Sequence, residues 1–195
     1  MDDNGQPVLY AIGMGSPAAR DIGRLVELAQ ADGWAVCVVA SPDGRRFLDV
    51  ESLAAKTGHP VRSEYKDPAA ADALPPADGM IAAPITCNSL AKWAAGISDT
   101  LPLGMLVEAV GKRQPVVAMP FSNRAQISFP PVQEAMRRLS GWGVEVLAGP
   151  DVYEQHEPGT GAEHLHRFPW ELAWRTFLDH PWHSLADRPP RPTGS

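Results

Sequence analysis

Cysteine is nearly missing from this chain: Cys37 and Cys87 are the only two among 195 residues. Both sit inside apolar segments without metal-ligand spacing. That excludes a disulfide scaffold and a zinc framework, and it fits a reducing, cytoplasmic setting. Positive charge is also scarce. Lys and Arg number 17 against 23 Asp and Glu, a formal net charge of −6, so no general nucleic-acid surface is expected. No apolar run approaches the roughly 18 residues of a membrane helix. The acidic start, MDDNGQPVLY, lacks the basic region of a secretion signal. Neither a membrane nor an export route is therefore expected.

What the chain has in plenty is apolar residues, 44%, together with 17 glycines and 20 prolines. The prolines crowd into 60–84, 115–131 and 181–192 and mark loops and a tail. Between them, strand-like and helix-like segments alternate. Val8–Ile12, Trp34–Ala40, Gly79–Ala83, Pro115–Met119 and Val144–Leu147 read as buried strands, and Val61–Tyr65 as a short further one. Helical spacing recurs over Ile22–Ala29, Arg45–Lys56, Asn88–Ala95, Leu103–Val110, Pro131–Ser140 and Trp170–Leu178. Ser16 is placed as an N-cap with Pro17 at the first helical position, and Ser41–Gly44 as a turn. Near-continuous apolar strands separated by helices predict a doubly wound, Rossmann-like α/β fold with a parallel sheet covered on both faces. Residues 1–150 would form this domain, 151–185 a loop and helix packed on it, and 186–195 a disordered tail.

Ligands of such folds lie beyond the carboxyl ends of the strands, which selects four loops. Gly13–Pro17 joins a strand to a helix, with glycines for close approach and free N–H groups suited to a phosphate. Ser41–Gly44 adds a hydroxyl, followed by Arg45 and Arg46. Pro84–Ser89 places Thr86, Asn88 and Ser89 at a helix start, more polar side chains than one cap requires. Pro120–Ser128 brings Ser122 and Asn123 to the same edge.

These loops resemble those of the flavin-containing cysteine decarboxylases, the flavoproteins that include phosphopantothenoylcysteine decarboxylase and the peptidyl-cysteine decarboxylases of lantibiotic biosynthesis. That family carries Pro-Ala-Ser-Ala-Asn-Thr, then Ala/Asn-Lys, then Gly-Ile/Leu-x-Asp-Asn-Leu. The counterparts are Pro84-Ile-Thr-Cys-Asn88-Ser89, Ala91-Lys92 and Gly96-Ile97-Ser98-Asp99-Thr100-Leu101. Gly15-Ser16-Pro17-Ala18-Ala19 is similar to the family's Gly-Ser-Ile-Ala-Ala, and Pro120-Phe-Ser-Asn123 to its Pro-x-Met-Asn. The match in order and spacing covers about residues 7–150. The resemblance implies FMN as cofactor, a homotrimer with the flavin at a subunit interface, and a thiol-bearing small molecule or peptide as partner. It implies Gly15, Ser16 and Ser41 at the phosphate and ribityl end. Thr86, Cys87, Asn88 and Ser89 would lie at the flavin, and Asn123 would orient the substrate.

The chain also departs from the family. The family's catalytic histidine follows an Asp-Pro after the third strand. Here Asp67-Pro68 leads to Ala71, or to Asp72 with a one-residue slip, and no histidine occurs between His59 and His156. Beyond Asn123 the family's Met and Trp are replaced by Ile127 and Ser128, with Gln126 extra. Drawing a thiol proton during oxidative decarboxylation needs a base, so the alternative reading is a non-catalytic flavin-binding accessory or regulatory subunit. A third is a flavin-free nucleotide-binding module. The His164/His166 pair, with His156 and Glu163 nearby, reads as polar surface, with no metal expected. Trp170, Trp174 and Phe177 read as a helix face packed on the sheet.

Overall fold

The computed structural model describes residues 1–2, 4–67, 69 and 74–181. Its strands are β1 (Val8–Gly13), β2 (Ala35–Ala40), β3 (Gly79–Ile85), β4 (Val116–Pro120) and β5 (Glu145–Val146). Every pairing is parallel, in the order β2-β1-β3-β4-β5. The helices are α1 (Gly23–Ala31), α2 (Pro42–Arg45), α3 (Val50–Thr57), α4 (Cys87–Ala94), α5 (Leu101–Gly111), α6 (Arg124–Ile127), α7 (Pro130–Gly141), α8 (Gly161–His164) and α9 (Trp170–Leu178). This is the doubly wound α/β architecture that the alternating pattern predicts.

Strand periodicity divides the core between the two faces of the sheet. Val8, Tyr10 and Ile12 of β1 point to one side, where Leu90, Trp93, Leu106 and Leu139 cover them. Leu9 and Ala11 point to the other and meet Leu25, Val26, Trp170, Trp174 and Phe177. The indole N–H of Trp174 donates to Asp32 Oδ2 at 2.6 Å, fixing α9 to the end of α1. Gly79 opens β3 where the Phe177 ring presses closest: a Cβ there would come within 2.5 Å of the ring. With both faces covered, every residue of β1 and β3 is buried, which is why these strands read as unbroken apolar runs rather than alternating ones.

Three local expectations need correction. The helix expected over 45–56 begins only at Val50: α2, capped by Ser41, ends at Arg45, and Asp49 starts α3 afresh by accepting from Ser52 N at 3.1 Å. Residues 41–44, expected as a turn, are the start of α2. The strand over 61–65 shrinks to one parallel bridge, Val39 to Arg62, at the free edge of β2. The expected disordered tail, 186–195, lies outside the described residues, as do Ala71 and Asp72.

Candidate functional site

β1 lies between β2 and β3, and the chain reverses its direction of winding there. The corners following β1 and β3 diverge to opposite faces and leave a crevice at the carboxyl edge. Hydrogen bonds continue the ladder into the corners. Met14 N donates to Pro84 O at 3.0 Å, Phe121 N to Ile85 O at 3.1 Å and Ser41 N to Gly13 O at 3.0 Å. The corners are thus fixed side by side.

A cavity of about 410 Å³ opens above them, lined by Gly15, Ser16, Thr86, Cys87, Asn88 and Asn123 among others. A larger hollow, about 790 Å³, lies at the opposite end of the sheet around Gln6, Trp34, Ala35 and His59. Size alone does not choose between them. The smaller one lies at the strand ends where backbone donors converge, and its volume falls within the ~300–1,000 Å³ typical of ligand pockets.

Ser16 is 2% exposed, and its Oγ is buried without a hydrogen-bond partner. It does not cap the 3₁₀ turn Pro17–Asp21 that it precedes. A buried hydroxyl left unsatisfied costs about 1–3 kcal/mol, so its position in the cavity wall marks a place for an acceptor or donor from outside the chain. Thr86 is the N-cap of α4: its Oγ1 accepts from Ser89 N at 3.2 Å and donates to Ser89 Oγ at 3.1 Å. Leu90 N makes the first intrahelical bond, to Thr86 O, so the N–H groups of Cys87 and Asn88 precede it and belong to the exposed start of the helix. Asn88 is exposed, Cys87 is half-buried, and Ser89 is buried beneath the cap. Burial pushes the Cys87 thiol up, against a lowering hydrogen bond with Ser122.

Asn123 caps α6 through Oδ1, which accepts from Gln126 N at 2.9 Å. Its Nδ2 takes no part in that cap. Ser41 stands behind the wall rather than in it: its Oγ accepts from Gly44 N at 2.9 Å, and a Cβ at Gly44 would lie 2.4 Å from Gly13 O. The second corner therefore braces the first. Arg45, which follows Gly44 in the second corner, donates to Val61 O at 3.2 Å.

The surprise is the segment after β5. The Tyr153 hydroxyl donates to Pro120 O, and Arg124 N donates to His156 O at 2.9 Å. These bonds draw the segment across the edge of the sheet, so that His156, Gly159, Gly161 and Ala162 complete the cavity wall. Phe121 packs in the same wall, its ring 5.1 Å from His156 and 5.7 Å from Phe168; it lines the space without filling it. His156, which the sequence marks only as a neighbour of the His164/His166 pair, is 8% exposed. The Tyr153/His156 pair with Gly159 and Gly161 was the only available signal. Among the described residues no cluster could hold a metal ion, and no helix is long and apolar enough to cross a membrane.

The profile of the Flavoprotein family matches residues 2–165. The chain belongs to that family. A curated relative, the coenzyme A biosynthesis bifunctional protein CoaBC of Vibrio vulnificus, is 31% identical over 157 residues, covering 77% of this chain and 38% of the relative. The corresponding protein of Thermococcus kodakarensis is 27% identical over 148 residues, 73% of this chain and 36% of its own. The chain thus spans less than two-fifths of the length of these relatives. Among solved structures, the FMN-dependent cysteine decarboxylase TvaF from thioviridamide biosynthesis superposes with a TM-score of 0.64. It is 22% identical over 89% of this chain and 99% of its own. At that identity the likeness establishes the Flavoprotein fold.

Proposed function

We propose that this chain binds FMN in the carboxyl-edge cavity and uses it on a thiol-bearing small molecule or peptide. The observation that carries the reading is the unpartnered Ser16 Oγ, buried in the wall beside the crevice where β1 and β3 part company. It suits an anionic ligand, as does the start of α4. In an acidic chain, such local donors hold a phosphate where net charge does not. Gly15 and Ser16 would receive the phosphate and ribityl end. Thr86, Cys87 and Asn88 would border the isoalloxazine, Ser89 would hold Thr86 in place, and Ser41 would act by bracing the Gly13 corner. Asn123 Nδ2 would donate to a carboxylate or amide of the substrate. Bound FMN would supply a two-electron acceptor that no side chain provides. Homotrimeric assembly, with the cavity at a subunit boundary, belongs to the same proposal.

The test is direct. Titrating purified protein into FMN should quench flavin fluorescence, and Asn88→Asp should weaken uptake by placing an anion at the flavin edge. Without oxygen, a cysteine-terminated peptide should bleach the bound flavin, and the peptide should lose the mass of carbon dioxide. A protein that takes up no FMN refutes the reading.

One observation favours a second reading, a flavin-binding accessory subunit: the family's histidine position holds Ala71 or Asp72. FMN uptake without bleaching by any thiol would select it.

A further inference from the structure

Among the described residues lining the cavity, only Cys87 and His156 carry titratable side chains. The Cys87 thiol is made more reluctant to ionise by burial and is engaged with Ser122. His156 is different. Its Nδ1 lies 3.0 Å from the carbonyl oxygen of Glu157. A carbonyl oxygen only accepts, so Nδ1 carries the hydrogen, and in the neutral ring Nε2 is left as a free lone pair. The ring is fixed as well as oriented. It packs 5.1 Å from Phe121 and 5.8 Å from His164, centroid to centroid. On its other side is Gly161, where a Cβ would stand 3.0 Å from Cε1 and 3.3 Å from Nε2. A glycine here leaves room for the Nε2 edge, and Gly161 itself lines the cavity. The backbone of His156 is bonded to the first turn of α6, whose N-cap is Asn123. The acid–base group and the amide donor are therefore fixed to one strand end.

We infer that His156 is the residue that takes the proton of the ligand's thiol: the S–H bond breaks, the proton passes to Nε2, and a thiolate remains beside an imidazolium. No electrons leave the ligand in this step. The inference rests on the flavin reading above and deepens it by assigning a proton acceptor in a chain whose family histidine position holds Ala71 or Asp72. An imidazolium next to sulfur also lowers the thiol's own pKa, as in other paired Cys–His sites. His156 would thus hold the ligand ionised near neutral pH.

The experiment compares wild type, His156→Gln, His156→Asn and Gly161→Ala. FMN uptake is measured first by fluorescence titration, and the variants are compared with wild type as FMN-loaded proteins. Each loaded protein is then mixed anaerobically, in a stopped-flow cell, with a peptide ending in cysteine or its serine counterpart. The long-wavelength absorption of thiolate against oxidised flavin is followed as a function of pH before any bleaching. The cysteine peptide should give the band in wild type at a half-height pH about one unit or more below that of both His156 variants. Gly161→Ala, which crowds the ring without removing it, should fall between, and the serine peptide should give no band. Coincident wild-type and variant curves with equal FMN uptake overturn the assignment of His156 alone, as does a wild type that binds FMN but gives no band. A wild type that takes up no FMN overturns both readings. If the His156 variants fail to load, an unmoved Gly161→Ala curve overturns the assignment.

Discussion

The Tyr153 hydroxyl is hydrogen-bonded to the carbonyl of Pro120, so a residue beyond the last strand is fastened to the carboxyl end of β4. Burial pushes the Tyr153 phenol up to about 12. Because the folded-state value exceeds the unfolded one, the associated stability is fully present below about pH 10 and is lost as pH rises toward 12. Tyr153→Phe should cost about 0.5–1.5 kcal/mol near neutrality, through the lost bond and the stranded carbonyl. It should also flatten the alkaline limb of stability. Urea unfolding at pH 7 and over pH 9–11 checks both; an unchanged alkaline slope would contradict the burial of this phenol.

Ser16→Ala should behave unlike most buried-site substitutions. The hydroxyl it removes has no partner, so the ligand-free protein should lose no stability and should gain up to about 1 kcal/mol. FMN affinity should nonetheless fall about tenfold, for the loss of one hydrogen bond to a charged group. Parallel thermal melts and FMN titrations separate the two effects. A loss of stability without a loss of affinity would remove Ser16 from the site.

The two thiols should differ sharply in reactivity. Cys37 is fully buried, and its pKa is pushed up to about 12, chiefly by burial and further by the negative charge of Asp2. Cys87 is half-buried in the cavity wall. A disulfide reagent should modify Cys87 in the native protein and Cys37 only on unfolding. Saturating FMN should slow the reaction at Cys87. Equal protection of both thiols, or none, would place Cys87 away from the bound flavin.

Gly79→Ala should destabilise the fold by about 1–3 kcal/mol. The added methyl would stand 2.5 Å from the Phe177 ring and 3.0 Å from Pro115 O, so α9 must shift. The shift would be read as a lower urea midpoint and a changed near-ultraviolet signal from the neighbouring Trp34 and Trp174. Phe177→Leu in the same background should recover part of the loss by opening space.

Much of the framework was legible in the order of residues because its determinants are local. β1 and β3 announce themselves as unbroken apolar runs, and α9 has the bounds its Trp and Phe spacing predicts. Elsewhere a single capping side chain or a distant partner decides. Asp49 is an N-cap that starts α3 five residues later than the helix expected from Arg45. The polar cluster at Thr86–Ser89 is partly a cap and its support, so those hydroxyls are not all available to a ligand. Ser41 likewise spends its oxygen on Gly44 N.

By itself, the sequence determined the alternation of strands and helices, the burial of the sheet on both faces, and the polar corners after β1, β3 and β4. Apolar periodicity, caps and turn residues act over a few positions and need no knowledge of the rest of the chain. Only the tertiary structure decided that the segment around His156 closes the cavity, that the Ser41 oxygen holds Gly44 N behind the cavity wall, and that the Ser16 hydroxyl stays without a partner. Those outcomes depend on contacts such as Tyr153 with Pro120, 33 positions apart, which form only after the sheet has brought its strand ends to one edge.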